Sequence, residues 1–122
     1  MAEELLIIAN PSVGPIAPMT LRQISAIYLL RMISWPDGSH VIPVNRELGS
    51  RARERFTTLV LREDNAALVD YWNKMHFQGK SPPVIQESEQ AMLAFVRSVP
   101  GAVGYVSAST PVDGVEVLDH VP

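Results

Sequence analysis

One short stretch of the chain concentrates the residue types that bind anions. Four of the ten lysines and arginines lie between Arg46 and Arg55, around Gly49 and Ser50. The stretch predicts the end of a strand, a tight glycine turn and the first turn of a helix. Such a turn directs backbone N–H groups and an arginine towards a helix N-terminus, which is a suitable site for a phosphate-like anion. We therefore expect Arg46, Gly49 and Ser50 to contact an anion, with Arg51 and the backbone N–H groups of Ser50 and Arg51 as further donors.

The same residues have a purely structural interpretation. Ser50 is a good N-cap for a helix, and Arg46 has carboxylate partners within reach in Glu47 and Glu54. Arg51 and Arg55 are four residues apart and share a helix face, whereas Arg53 points elsewhere. That face is either a solvated basic surface or a docking surface for an acidic partner.

Composition excludes several classes of function. The chain has 122 residues and a net charge of -3, which predicts one domain over residues 1–122 and argues against a nucleic-acid binder. It has no cysteine, so thiolate chemistry and disulfides are excluded. The three histidines, His40, His76 and His120, lack metal-ligand spacing, so we assign no metal and no cofactor. Ser50 lacks the glycines of a nucleophile elbow. We expect no catalytic residue and no enzyme.

Apolar patterning predicts alternating strands and helices. Strands are expected at residues 5–9, 41–44, 84–85, 102–106 and 115–118. Helices are expected to begin at Thr20, which can form a capping box with Gln23, at Ser50, at Asp64 or Asn65, and at Glu87 or Ser88. Pro43 indicates an edge or strand-end position, and Gly104 permits close backbone approach. The 5–9 run is too short to span a bilayer. This order predicts a three-layer α/β domain with a mixed, mostly parallel sheet flanked by helices.

Five motifs in this order resemble those of the phosphate-binding proteins of ABC uptake systems. The motifs are Ile8-Ala9-Asn10-Pro11, Thr20-Leu21-Arg22-Gln23-Ile24, Ser34-Trp35-Pro36-Asp37-Gly38, Pro43-Val44-Asn45-Arg46-Glu47-x-Gly49-Ser50 and Pro100-Gly101-Ala102-Val103-Gly104-Tyr105-Val106. Those proteins are type II periplasmic binding proteins, in which two α/β lobes close on the anion. The resemblance covers nearly the whole chain and corresponds to the second lobe only.

The resemblance implies a phosphate or similar oxyanion ligand and a link to phosphate transport or sensing. The anion loop of that family reads Arg-x-Asp-Gly-Ser-Gly-Thr, and the arginine, first glycine and serine are matched by Arg46, Gly49 and Ser50. The other three positions differ, and they are occupied here by Leu48, Arg51 and Ala52. The lost aspartate is the acceptor that distinguishes protonated phosphate from sulfate. Further contacts are expected from Asn10, Ser12 and Tyr105 at the same rim.

The resemblance also implies a compartment. We expect a periplasmic or secreted protein whose signal peptide has been removed before Met1, and a cytoplasmic protein remains an open alternative. The alternative function is a non-catalytic protein-interaction module that has lost ligand binding and meets an envelope protein or a second copy of itself. Leu48, an apolar residue in place of the aspartate, is the feature that favours this alternative.

Overall fold

The computed structural model describes residues 4–14 and 18–122, so the first three residues, which bear on the expected signal-peptide removal, lie outside it. Five strands form one sheet in the order β3-β2-β4-β1-β5. Their bounds are Leu5–Ala9 (β1), Ile42–Arg46 (β2), Val84–Gln86 (β3), Ala102–Ser107 (β4) and Glu116–Val121 (β5). The sheet is mixed, as predicted. Its pairs divide evenly, however, because β2 runs parallel to β3 and β4 while β1 runs antiparallel to β4 and β5.

The connections explain this even division. Helices join β2 to β3 and β3 to β4, and crossovers of this kind produce parallel strands. The segment from β4 to β5, residues 108–115, contains no helix. β5 then pairs with β1 on the far side of β4. The sequence predicted a mostly parallel sheet, and this part of the prediction is wrong.

Helices cover both faces of the sheet, and each begins at a side-chain cap. Their bounds are Leu21–Tyr28 (α1), Arg51–Phe56 (α2), Asn65–Phe77 (α3) and Glu89–Ser98 (α4), with a 3-10 turn at Pro11–Val13. A π-helix, Thr57–Leu61, directly continues α2. The caps are Thr20, Ser50, Asp64 and Ser88, and Thr20 forms the predicted capping box with Gln23. The helix starts predicted from sequence are thus confirmed.

Two clusters of buried apolar residues join the helices to the sheet. One contains Tyr28 of α1 and Phe56 of α2 against Tyr105 of β4, and the other contains Met92 of α4. A Cβ atom at Gly104 would lie 2.5 Å from the Met92 sulfur, so this glycine does permit close packing of α4 on the sheet. The three-layer arrangement is confirmed.

Pro43 lies in an interior strand, because β2 has β4 on one side and β3 on the other. The pairing with β3 begins only at Val44, so the missing N–H of Pro43 removes no bond from that ladder. The strand-end interpretation of Pro43 is therefore correct and the edge interpretation is wrong. Among the described residues, no helix is long and apolar enough to cross a bilayer.

Candidate functional site

The turn after β2 has the geometry expected of a strand-to-helix connection. Gly49 has a φ of 86°, a left-handed conformation that strongly favours glycine. The Ser50 N–H donates to the Glu47 carbonyl at 3.2 Å, so the expectation that it is a free donor for the anion is corrected. The Ser50 hydroxyl oxygen accepts from the Arg53 N–H at 3.2 Å and so caps α2. Because that contact uses only an acceptor lone pair, the Ser50 O–H can still donate to a ligand. We call residues 46–50 the anion turn.

Two carboxylates face the Arg46 guanidinium. Arg46 Nε lies 2.8 Å from Glu47 Oε1, and Arg46 Nη1 lies 3.4 Å from Glu89 Oε1. Glu89 also accepts from the Ser107 N–H at 3.2 Å, which ties the arginine to the end of β4. The side chain of Arg46 is only 12% exposed. Of the two partners expected from the sequence, Glu47 is confirmed, whereas Glu54 is not within ion-pair distance. Glu89, 43 residues away, was not expected because no local spacing connects it to Arg46.

The backbone of Arg46 is supported from behind by Tyr105. The Arg46 N–H donates to Asn45 Oδ1 at 2.9 Å and to the Tyr105 hydroxyl oxygen at 3.2 Å. The Tyr105 O–H in turn donates to Asn45 Oδ1. Burial raises the pKa of Tyr105 above its ordinary value, so the hydroxyl stays a neutral donor. Tyr105 thus lies at the anion turn, where its hydroxyl bonds to the protein itself.

Asn10 and Ser12 lie elsewhere. Arg46 is at the C-terminal end of β2, which runs parallel to β4, whereas β1 runs antiparallel to β4 and ends beside the start of β4. Asn10 donates to the carbonyls of Val96 and Arg97 at 2.8 and 3.0 Å. Ser12 Oγ accepts from the Gly101 N–H at 2.9 Å. Both residues therefore brace the opposite end of the sheet, and the expectation that they share a rim with Arg46 is corrected.

The arginines of α2 divide between two sides, as their spacing predicts. Arg53 turns back to the anion turn and donates from Nη1 to the Arg46 carbonyl at 2.8 Å. Arg51 and Arg55 line a separate pocket of about 280 Å³ on the other side of the helix. The side chain of Arg51 is therefore in a different pocket from the groove that Glu47 and Arg53 line, and the expectation that it contacts the same anion as Arg46 is corrected.

A wide groove of about 750 Å³ lies between the anion turn, α3 and β3. Its polar lining includes Glu47 and Arg53, and its apolar lining includes Leu48, Trp72 and Ile85. Leu48 is 77% exposed, and its side chain has no hydrogen-bond acceptor for a ligand at the turn. In the parts of the chain that the structure describes, no group of three or more metal-ligating side chains occurs.

Comparisons with known proteins give a fold. No protein-family model and no curated protein matches the chain. Among solved structures, it resembles a Clostridium perfringens protein described as a phosphate ABC transporter substrate-binding protein and solved with bound phosphate. The TM-score is 0.76 and the identity 22%, over 95% of this chain and 44% of that one.

Two further structures agree. An ABC-type phosphate transport receptor from Vibrio cholerae has a TM-score of 0.74 and 19% identity, over 95% of this chain and 45% of that one. PstS from Borrelia burgdorferi has a TM-score of 0.71 and 16% identity, over 95% and 46%. The chain spans less than half the length of each of these structures. Its fold is that of a lobe-sized half of a phosphate ABC transporter substrate-binding protein.

Proposed function

We propose that this chain binds a small oxyanion, phosphate or a similar ion, at the anion turn, as a non-catalytic binding lobe linked to phosphate uptake or sensing. The observation that carries the proposal is Arg46, a largely buried arginine beside the capping serine Ser50. The fold supports it, since a solved structure of the same fold contains bound phosphate.

Arg46 keeps donors for a ligand despite its carboxylate partners. A guanidinium has five N–H groups, and the contacts to Glu47 and Glu89 use one each on Nε, Nη1 and Nη2. The hydrogen bond from Arg46 holds the pKa of Glu47 below its ordinary value, so Glu47 stays an ionised acceptor. An acceptor beside the site favours an anion that carries a proton, as phosphate does at neutral pH. We therefore expect phosphate to bind more tightly than sulfate.

The expected affinity is low. The carboxylates neutralise much of the positive charge of Arg46, and an open, single-sided site leaves the ligand in contact with water, where charge interactions are weak. A dissociation constant of about 1 mM, equivalent to about -4 kcal/mol, is consistent with such a site.

Thermal unfolding at constant ionic strength tests the proposal. At about 10 mM phosphate the wild type should gain roughly 1.4 kcal/mol of stability, and sulfate should give less. Arg46→Gln should lose the phosphate response. Arg22→Gln removes the same charge from an exposed position of α1 and should keep it. A wild type that responds to phosphate no more than to sodium chloride, or an Arg46→Gln variant that responds like the wild type, would contradict the proposal.

The proposal extends to the setting of the protein. We place it in the periplasm or outside the cell, because proteins with this fold include transport receptors for phosphate. We also propose that residues 1–122 form a single domain. The motif resemblance of the sequence supports the same setting. Detection of the protein in a periplasmic fraction would support this placement, and detection only in the cytosol would contradict it.

The second candidate is a protein-interaction module, and the groove favours it. Leu48, Val69 and Ile85 are 77%, 58% and 43% exposed, and all three line the groove. Exposed apolar side chains grouped in this way mark interaction surfaces. A second copy of the chain or an envelope protein is the partner in this candidate. Sedimentation velocity over a wide concentration range tests whether the partner is a second copy of the chain. If the chain forms a dimer through this groove, Leu48→Asp and Val69→Asp should dissociate it. A monomer at every concentration excludes self-association.

A further inference from the structure

The pocket behind α2 has a cationic side and an apolar side. Arg51 and Arg55 line it together with the hydroxyl-bearing Thr58. The apolar side consists of Leu5 at the start of β1, with Ala52 and Leu59 on the helix. Its volume of about 280 Å³ suits a molecule of a few carbon atoms. None of the residues at the anion turn lines it.

The described residues compensate the positive charge in this pocket only in part. Arg46 has two carboxylates within ion-pair distance, whereas neither Arg51 nor Arg55 has one in residues 4–14 or 18–122. Glu54 also lines the pocket but forms no ion pair with either arginine. Counting those three side chains, the pocket carries a net positive charge.

Arg55 gives an independent indication. Its Nη2 donates to the Pro122 carbonyl, which fixes the side chain against the end of β5. Its Nε atom is buried and, among the described residues, has no hydrogen-bond partner. A buried cationic donor without an acceptor is unfavourable. An anion beside this guanidinium would compensate its charge.

We infer that the Arg51–Arg55 pocket binds a small organic carboxylate with a short aliphatic stem. The carboxylate lies between the two guanidinium groups, which are strong partners for it. The stem covers the half-buried Ala52 and Leu59, and Leu5 forms the buried floor of the pocket. An inorganic oxyanion leaves the half-buried Ala52 and Leu59 in contact with water and gains nothing from them. This site does not depend on the anion turn, because the two arginine sets lie on different sides of α2.

Butyrate is a suitable probe of this pocket. In amide NMR spectra at constant ionic strength, butyrate should give saturable shifts at Leu5 and across residues 51–59, and sodium chloride should not. Arg51 is exposed, so Arg51→Gln should fold and should bind butyrate about tenfold more weakly, as the loss of one charge-assisted hydrogen bond predicts. The charge-matched control Arg22→Gln should bind butyrate like the wild type.

Three results would overturn this inference: equal shifts with chloride, unchanged butyrate binding by Arg51→Gln, or phosphate binding to the same residues as tightly as butyrate. Its failure is separable from failure of the anion turn. A protein that lacks the butyrate response but keeps a phosphate response dependent on Arg46 refutes this pocket alone.

Discussion

The two flanks of the anion turn differ sharply in how they are packed. On one side lies an aromatic block of Tyr28, Phe56 and Tyr105, each no more than 1% exposed. On the other lies the α3–β3 flank, residues 65–86, in which no residue of α3 is buried. The contrast indicates that buried aromatic side chains support the turn on one side only, while the other side is held by the pairing of β2 with β3. We expect a rigid anion turn beside a weakly attached flank.

The contacts explain the difference. Phe56 stacks on Tyr105 with ring centroids 4.2 Å apart, and the Tyr28 and Phe56 centroids are 4.6 Å apart. Within the α3–β3 flank, α3 packs on the core through Leu68 and Tyr71, which are only partly buried, and β3 joins the sheet by pairing with β2. Aromatic burial of the first kind contributes several times more to stability than surface contacts do.

The largest predicted effect comes from one substitution made on each flank. Phe56→Ala should lower the free energy of unfolding by about 3–5 kcal/mol, because the residue is fully buried. Phe77→Ala removes the same atoms from a side chain that is 90% exposed, so the free energy of unfolding should change by less than about 0.5 kcal/mol. Urea unfolding measures both. Similar losses for the two variants would refute the contrast between the flanks.

A smaller effect tests the polar contacts of the block. The Tyr28 O–H lies 2.7 Å from the Val44 carbonyl and 3.2 Å from the Val103 carbonyl, so it joins β2 to β4. Burial raises the pKa of Tyr28 well above its ordinary value, which keeps it a donor. Tyr28→Phe should cost about 1–3 kcal/mol in urea unfolding, since it leaves buried carbonyls short of a donor.

Tyr71→Phe is the matched change on the other flank. The Tyr71 O–H donates to the Leu29 carbonyl, but the side chain is only partly buried. Removal of this hydroxyl should lower the free energy of unfolding by about 0.5–1.5 kcal/mol, the net contribution of an ordinary hydrogen bond. A larger loss for Tyr71→Phe than for Tyr28→Phe would show that the α3–β3 flank is the better anchored of the two.

The helix caps on the two flanks should also differ in their effect on stability. Ser88 caps α4 on the sheet, and Asp64 caps α3 on the flank. Replacement of either by alanine should destabilise its own helix by about 1 kcal/mol. Ser88→Ala should lower global stability by that amount, whereas Asp64→Ala should act locally. Hydrogen exchange should then speed up in α3 while the core amides of the Asp64 variant are unchanged. Equal acceleration throughout the sheet would show that α3 unfolds only with the core.

The smallest effect concerns pH at the turn. The pKa of Glu47 is lower in the folded chain than its ordinary value, so its contact with Arg46 stabilises the fold above the ordinary pKa and is lost as pH falls. Stability should therefore decline between about pH 5 and pH 3, and part of that decline should be missing in Glu47→Gln. Identical pH profiles for the two proteins would show that the contact does not contribute.

Local signals were readable from the sequence and long-range partners were not. The caps at Thr20 and Ser50 were predicted, and Asp64 and Ser88 were each one of two predicted residues, because a cap bonds to a backbone N–H only two or three residues away. The position of Arg46 at a strand end followed from the glycine turn for the same reason. Apolar runs then located all five strands to within a few residues.

Partners that depend on strand order could not be read locally. Glu89, the first residue of α4, accepts from the Ser107 N–H at the end of β4 and reaches Arg46 because β4 lies beside β2. A separation of 43 residues in the sequence does not indicate this strand order. Asn10 and Ser12 were expected at the anion turn, but the antiparallel direction of β1 places them at the far end. The same direction explains why the sheet is not mostly parallel.

The most direct test of the anion turn is a phosphate titration followed by amide NMR at constant ionic strength. The largest shifts should fall on the Gly49 and Ser50 amides, with saturation at about 1 mM. Sulfate should give weaker shifts, and α3 should change little. Arg46→Gln should abolish the shifts at the turn. Shifts of equal size across the chain, or shifts at the turn that persist in Arg46→Gln, would contradict binding at this site.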